Sequence, residues 1–339
     1  MLNVLNDNYF TEHYSSGFVD TNISLPIELV DDIKKHYLSK AVGHNDFPKF
    51  FVKNEHQAYL EGPILGFLLN TFPTFGKNMV KKFYDKAYQK AVYCDQTYIE
   101  RVLNFLLANN FQHLFKTRYM IVGYDMYLRN DHRSPAAGIH TDLPNFHHFY
   151  ETENDMSLYI PLVDLDETNG GRITVLPEDK LKVPGNILLK LLREHFATKT
   201  DCLDENGYID PEKITAESMS AFIKSSAHQN LMTLYKNLIS IAKKQYANAF
   251  QTAQETKGKV LLFNNKNFHA AESWKNQSYD REVYVIRMFP IYDANIKLKR
   301  TLHDKLINNF LVDTVTGQVH RFDHQVDLTQ IPADNKLKL

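Results

Sequence analysis

The sequence predicts a mainly β, α+β domain in which an antiparallel sandwich or barrel is flanked by helices. Short segments rich in β-branched and aromatic residues alternate with polar turns in two parts of the chain. Helical hydrophobic patterns precede the first part and separate it from the second. We expect one domain over residues 1–339, because a helical segment between strands is best interpreted as an insertion. Its expected parts are a mostly helical support (1–117), a β core (118–184 and 258–291), a helical insertion (185–257) and a C-terminal extension (292–339).

The support begins with a helix predicted from Leu25 to Leu38. Pro26 lies near its first turn and acidic residues precede lysines, which suits the two ends of a helix. An apolar stripe is predicted on one face of this helix, formed by Ile27, Val30, Ile33 and Leu38. Residues 57–117 continue the helical pattern, and we expect them to form a layer that supports a sheet.

Five segments of the core have the composition of strands, and polar residues, glycine or proline separate them. They are Tyr119–Leu128, Met156–Val163, Arg172–Leu176, Gly258–Phe263 and Arg281–Phe289. Pro161 limits how central the second strand is at that point, because proline donates no hydrogen bond to a neighbouring strand. Residues 310–322 are expected to form a hairpin around Thr316 and Gly317.

The insertion carries apolar residues at helical spacing between Leu231 and Ile241. We interpret these residues as core and not as contacts of a cofactor. Two interpretations of the whole insertion stay open, a lid that excludes water from a site and additional structural helix.

Composition narrows the classes of partner and compartment. The net charge is -1, so no global field favours nucleic acid or an acidic membrane surface. The only cysteines, Cys94 and Cys202, cannot build a disulfide framework, which favours a reducing, cytoplasmic compartment. The N-terminus lacks the features of a signal peptide, and no apolar run approaches the roughly 20 residues that span a bilayer. We therefore expect a small-molecule partner, with neither nucleic acid nor membrane.

The pair His140 and Asp142, together with the distant His269, forms a candidate metal site. A His-x-Asp pair is weak by itself in a chain with 15 histidines and 40 acidic residues, and a second pair, His44 and Asp46, occurs. His140 and Asp142 lie between predicted strands, where extended residues i and i+2 project to one face and can bind one ion. His269 follows another predicted strand and supplies a third ligand. The second pair follows a helix and has no such histidine behind it, so we interpret it as a solvated loop.

Two imidazoles and one carboxylate on one face of Fe(II) leave three positions open, which is the ligand set of non-haem iron oxygenases. A 2-oxo acid would chelate the iron at two of these positions, and O2 would take the third. The far carboxylate of such a co-substrate needs a cation, and the planar fork of arginine binds carboxylates at two points. Arg281 and Arg287 are six residues apart on one predicted strand, so they share a face, and their spacing does not choose between them.

On these residues the chain resembles the phytanoyl-CoA dioxygenase-like family of Fe(II)/2-oxoglutarate-dependent oxygenases. His140-Thr-Asp142 resembles the metal motif of that family, and His269 matches its distal histidine. Three further segments are similar to the family, namely Tyr14–Phe18 with the helix after it, Thr168–Pro177 and Asn276–Arg281. The resemblance covers roughly residues 10–290 and is broken by the insertion.

The resemblance implies a double-stranded β-helix, the jelly-roll fold of cupin-like proteins, with the three ligands above binding Fe(II). It implies 2-oxoglutarate and O2 as co-substrates and prefers Arg281 to Arg287 as the residue that holds the far carboxylate. Halogenases of the family replace the metal carboxylate by a small residue, so Asp142 implies hydroxylation or a related oxidation. The chain departs from the family at Pro177–Lys180, where Pro-Gly-Ser-His is common, and in the long spacing from Asp142 to His269.

Further residues near the motif are candidates for contact with small molecules. We expect the strand that carries Tyr127 and Arg129 to line the pocket, where either side chain could touch the co-substrate or the substrate. Wall packing or a surface position is the alternative for both. Asn145, His147 and His148 closely follow the metal motif and are candidates for contact with the substrate.

Other functions stay open at this level. One is a catalytically silent β-helix protein that uses its pocket for binding, which loss of a metal ligand would mark. Another is a cupin-type metalloenzyme that uses no 2-oxo acid, which more histidines at close spacing would mark. A nucleic-acid hydroxylase is disfavoured by the neutral charge. The tyrosine, histidine and arginine residues near the site favour a small polar substrate. The resemblance implies oxidation of an unactivated C–H bond in such a metabolite, for example an amino acid, with release of succinate and CO2.

Overall fold

The computed structural model describes residues 16–38, 95–111, 119–132, 136–142, 156–181, 195, 213, 215–290 and 309–322, and the statements below concern these residues. They form ten strands and four α-helices. The helices are α1 (Ile27–Leu38), α2 (Gln96–Ala108), α3 (Ala216–Lys224) and α4 (Ser226–Gln245). Within the described ranges, none of the helices is both long and apolar enough to cross a bilayer.

The ten strands form two antiparallel sheets, which confirms the prediction of a mostly antiparallel β fold with flanking helices. The strands are β1 (Phe18–Ser24), β2 (Tyr119–Asn130), β3 (Met156–Pro161), β4 (Ile173–Val175), β5 (Gln251–Thr252), β6 (Lys259–Asn264), β7 (His269–Ala271), β8 (Arg281–Pro290), β9 (Asn309–Asp313) and β10 (Val319–Phe322). The large sheet has the order β1-β6-β3-β8-β2-β9-β10, and the small sheet has the order β5-β4-β7. All five predicted core strands occur, with bounds that differ by one or two residues. Strand β3 is central in the large sheet, and Pro161 is its last residue.

Helix α1 packs on the large sheet through a face that differs in part from the predicted stripe. Val30 and Ile33 are fully buried as expected, but Ile27 is 49% exposed and Leu38 is 41% exposed. Leu29 and Tyr37 are buried instead. Rotation by 100° per residue places positions 29, 30, 33 and 37 on one side of the helix and positions 27 and 38 on the other, so the predicted stripe was wrong at its two ends.

The two faces of the large sheet pack against different partners. Along β8, Tyr284, Ile286 and Met288 belong to the cluster that contains α1 and α2 residues. Val283 and Val285 alternate with them and belong to a second cluster, shared with the small sheet. We call this second cluster the inter-sheet core. Its members are Met126, Tyr159, Val163, Leu165, Ile173, Val175, Ala253, Leu261, Phe263, Trp274, Val283 and Val285.

The predicted C-terminal hairpin is confirmed and has a further role. Strands β9 and β10 pair antiparallel around a turn in which Gly317 has φ +71°. Strand β9 also pairs with β2, so the hairpin extends the edge of the large sheet. The described part of the insertion contains α3 and α4, and on α4 Leu231 and Tyr235 are buried whereas Leu234 is 37% exposed.

Candidate metal centre

The structure brings together the side chains of His140, Asp142 and His269, whose donor atoms lie within 4.8 Å of one another. Backbone pairing produces this arrangement. The N–H of His140 donates to the carbonyl of His269 (3.0 Å), and the N–H of His269 donates back (2.9 Å). The N–H of Asp142 donates to the carbonyl of Asn265 (3.1 Å). Residues 140–142 therefore form a short extended segment beside the start of β7, and this pairing brings His140 and Asp142 next to His269.

Both imidazole rings are held in an orientation that suits metal binding. Nδ1 of His140 lies 2.6 Å from the carbonyl oxygen of Gly138, and Nδ1 of His269 lies 3.0 Å from that of Asn267. Because a carbonyl can only accept, Nδ1 of each ring carries a proton, and Nε2 is the nitrogen that the neutral ring offers to a metal. These Nε2 atoms face Asp142, at 3.7 Å from its Oδ1 and 3.5 Å from its Oδ2 respectively.

The electrostatic environment favours the protonation states that bind a cation. Burial lowers the pKa of His269 to about 4, so this imidazole is neutral near pH 7. Burial alone would raise the pKa of Asp142, but Arg287, and after it His269 and His140, hold that pKa below its usual range. An ionised carboxylate and neutral imidazole nitrogens are the donors that a divalent transition metal requires. The residues present therefore fit an iron(II) ion.

Arg287 lies directly beside the cluster of His140, Asp142 and His269. Its Nη1 forms an ion pair with Oδ2 of Asp142 (2.7 Å), and it also donates to Ser157 Oγ and Asn265 Oδ1. Only 8% of the residue is exposed. The guanidinium group thus fixes the orientation of the Asp142 carboxylate from the side of the large sheet.

Arg281 lies elsewhere on the same strand, beside the inter-sheet core. Its Nε donates to the Gly171 carbonyl (2.7 Å), its Nη2 to the Tyr159 hydroxyl (2.5 Å) and its Nη1 to Asn130 Oδ1 (3.4 Å). These bonds use three of the five N–H groups of the guanidinium group, so two N–H groups make no hydrogen bond to the described residues. The spacing of the two arginines did not choose between them and the family resemblance preferred Arg281; the structure gives the two residues different surroundings.

Aromatic rings connect the metal ligands with the surroundings of Arg281. The Phe263 ring lies 5.0 Å from the His269 ring, and the Tyr159 ring lies 6.3 Å from Phe263. Gly171 adopts φ +77°, and a Cβ atom there would come within 2.8 Å of Arg281 Cδ and 2.9 Å of the Trp274 ring. The turn at Gly170 and Gly171 therefore lets the backbone approach the arginine closely.

Tyr127 and Arg129 contact other side chains, which agrees with the alternative of wall packing or a surface position, and their contact with a co-substrate or substrate stays a prediction. The Tyr127 hydroxyl donates to Glu282 (2.5 Å), and its ring stacks on Tyr37 of α1 at 5.8 Å. Arg129 pairs with Asp280 (2.5 Å). Side chains alternate between the faces of a strand, and this register gives the inner face to Met126 and leaves Tyr127 on the helix side.

Several of the sequence-based candidates lie outside the described residues. These are Asn145, His147 and His148, and also the pair His44 and Asp46. Their roles stay predictions.

Two residues near Arg281 were missed by the sequence analysis. Tyr159 could have been found, because strand alternation places it on the same face as Ser157, beside the metal ligands. Glu255 gives no signal in the sequence. It is 2% exposed, its side chain accepts a hydrogen bond from the Ile173 N–H, and burial raises its pKa to about 8.

Comparisons with known proteins give structural similarities at low identity. No family model matches the sequence, and no curated protein matches it. The non-heme monooxygenase ThoJ in a nickel complex has 8% identity and a TM-score of 0.45, over 98% of this chain and 89% of that one. The alpha-ketoglutarate-dependent carbocyclase SnoK from nogalamycin biosynthesis has 12% identity and a TM-score of 0.47, over 95% of both chains.

HygX from Streptomyces hygroscopicus, with nickel and 2-oxoglutarate bound, has 13% identity and a TM-score of 0.39. This match covers 84% of the present chain and 87% of HygX. Similarities of this size do not identify the activity of the present protein.

Proposed function

We propose that the protein is an Fe(II)- and 2-oxoglutarate-dependent oxygenase. The observation that supports this most strongly is the cluster of His140, Asp142 and His269. Its two imidazoles present Nε2 atoms toward an ionised carboxylate, and the three donors lie within 4.8 Å. Donors from one side of an ion leave the opposite side open for a chelating co-substrate and O2.

Each residue of the candidate metal centre and its surroundings has a definite part in this proposal. The three ligands would hold Fe(II), and Arg287 would keep the Asp142 carboxylate in place. The bound iron would supply the activation of O2. Arg281, with Tyr159 beside it, would hold the far carboxylate of 2-oxoglutarate through the N–H groups that its protein contacts leave available. The apolar inter-sheet core would keep water away from the chelate.

The fold and the reaction type belong to the same proposal. We infer that the two sheets are the halves of a double-stranded β-helix, since the apolar inter-sheet core lies between them. We also infer the phytanoyl-CoA dioxygenase-like branch, a single domain with the 185–257 insertion as a lid, and a cytoplasmic location. The carboxylate of Asp142 occupies the position that halogenases leave free, which favours hydroxylation or a related C–H oxidation. The substrate would be a small polar metabolite such as an amino acid.

An anaerobic titration tests the proposal. Addition of Fe(II) and then 2-oxoglutarate should produce the weak visible charge-transfer band of the chelate, and His269→Ala should abolish it. His36→Gln is a suitable control, because His36 pairs with Asp95 on the helix side of the large sheet. If the native chain binds neither iron nor 2-oxoglutarate, the oxygenase proposal is wrong and a binding protein without catalysis becomes the better interpretation.

A further inference from the structure

Glu255 is a buried acidic residue beside the arginine that is proposed to bind a second carboxylate. Its backbone carbonyl accepts the Leu165 N–H (2.9 Å), which fixes the residue between the edge of the small sheet and the inter-sheet core. One carboxyl oxygen, Oε1, accepts the N–H of Ile173. The other, Oε2, is buried and has no hydrogen-bond partner among the described residues. A buried carboxyl oxygen without a partner is costly, and such groups call for a functional explanation.

The position of this carboxyl group relative to Arg281 follows from one short segment. Arg281 Nε donates to the carbonyl of Gly171, and Glu255 accepts from the N–H of Ile173, two residues further along. The two side chains are therefore anchored next to each other. The Tyr159 hydroxyl, which accepts a hydrogen bond from Arg281, also acts as a hydrogen-bond donor toward the Glu255 carboxyl group and lowers the pKa of that group. Three groups thus meet at this point, namely a cation, a phenol and an acid.

We propose that Glu255 couples the binding of the co-substrate to a proton, because Arg281 can accept the far carboxylate of 2-oxoglutarate only while Glu255 is neutral. This inference rests on the proposed function. When Glu255 is ionised, it neutralises Arg281 and repels a second carboxylate at the same site. When Glu255 is protonated, Arg281 keeps its positive charge, and the acid can donate a hydrogen bond through the oxygen that lacks a partner.

The charged groups around Glu255 agree with a neutral acid in the absence of co-substrate. Burial raises the pKa of Glu255 to about 8 and outweighs the lowering by the Ile173 N–H, Arg281 and Tyr159. Glu272, just after β7, raises it further and is itself paired with Arg172 (2.8 Å). Burial also holds the pKa of Tyr159 well above its usual value, so this phenol stays protonated. A bound carboxylate adds another negative charge, which stabilises the protonated form of Glu255 still more.

The experiment compares two 2-oxo acids on the Ni(II)-loaded protein by titration calorimetry. 2-Oxoglutarate carries the far carboxylate, whereas 2-oxobutyrate chelates the metal in the same way and lacks it. With a pKa of about 8 in the free protein, the Kd of 2-oxoglutarate should rise roughly tenfold between about pH 7 and pH 9. Titrations in buffers of different ionisation enthalpy near pH 8.5 should show uptake of roughly half to one proton. 2-Oxobutyrate should show neither effect, which excludes a metal-bound water as the source.

Glu255→Gln provides the matched variant, since a neutral amide of the same shape still accepts the Ile173 N–H. It should bind 2-oxoglutarate at pH 7 within a few-fold of the native protein and keep that affinity at pH 9. Equal pH dependence for both acids, no proton uptake in the native protein, or unchanged pH dependence in the variant would each overturn the inference while leaving the proposed function intact. Failure of the Ni(II)-loaded native protein to bind either acid would overturn both. If the variant does not fold, the comparison of the two acids on the native protein still decides.

Discussion

Substitution of Arg281 by glutamine separates the roles of the two arginines on β8. Arg281→Gln removes the cation proposed for the far carboxylate of 2-oxoglutarate. Arg287→Gln is the matched control, because Arg287 lies on the same strand and is buried to a similar extent but pairs with Asp142. We expect Arg281→Gln to weaken the binding of 2-oxoglutarate strongly and to leave the binding of 2-oxobutyrate almost unchanged.

The size of this effect follows from the hydrogen bonds that Arg281 has available. Three of its N–H groups bind Gly171, Tyr159 and Asn130, so two remain for a carboxylate. Hydrogen bonds to charged groups contribute about 1.5–3 kcal/mol each, and only 6% of Arg281 is exposed, so solvent screens these bonds little. Two bonds at the lower end give about 3 kcal/mol, which corresponds to a roughly 150-fold higher Kd.

The assay is an anaerobic titration of the Fe(II)-loaded proteins, followed by the charge-transfer band, with thermal melts to verify folding. Arg287→Gln should still bind 2-oxoglutarate more tightly than 2-oxobutyrate, even if it binds the metal differently. If Arg281→Gln keeps this preference and Arg287→Gln loses it, Arg287 holds the far carboxylate and the assignment made here is refuted. If both variants keep this preference, neither arginine holds the far carboxylate.

Three further predictions concern stability. Gly171→Ala should cost at least about 1–3 kcal/mol, from its positive φ and from the clash with Arg281, whereas Gly317→Ala should cost only about 1 kcal/mol, because a Cβ there meets nothing within 4 Å. Urea unfolding measures both, and equal costs would contradict the close approach at Gly171. Tyr37→Phe removes a hydroxyl that donates to the buried Asp125 carboxylate (2.5 Å) and should cost about 1.5–3 kcal/mol without changing metal binding; unchanged unfolding would show that this bond contributes nothing. The pKa of Glu255 is raised in the folded protein from 4.5 to about 8, so the folded state holds the proton more tightly and native stability falls as the pH rises through that window. Thermal melts of Glu255→Gln should not show this loss of stability with rising pH. The melting temperature of the variant, relative to that of the native protein, should therefore be higher at pH 8 than at pH 5. The same difference in melting temperature at both pH values would contradict the raised pKa.

Local patterns in the sequence were sufficient for the strands and for the residues of the candidate metal centre. Strand composition and bounding turns located the five core strands to within two residues, because both depend on neighbours along the chain. The spacing of His140 and Asp142 placed them on one face of an extended segment, and His269 followed a recognisable strand. The structure then brought these three residues within 4.8 Å.

Sequence patterns were not sufficient to decide which face of a strand packs against the helices. The alternation of side chains along β2 was visible in the sequence, but it did not say which face meets the helices, and only the structure placed Tyr127 on the helix side. The stripe predicted on α1 failed at its ends for a different reason, because Ile27 and Leu38 do not follow the helical period of the buried residues. A period fixes which residues share a face, whereas the partner of that face depends on segments far away in the chain.

The sequence by itself therefore determined an antiparallel β protein with flanking helices and a His-Asp-His ligand set. Only the tertiary structure decided that Arg287 contacts Asp142, that Arg281 lies beside Tyr159, and that Glu255 is buried next to them. The physical reason is that the charge state and the role of an ionisable side chain depend on its burial and on its nearest charges. Folding sets both through contacts between residues that are distant in sequence.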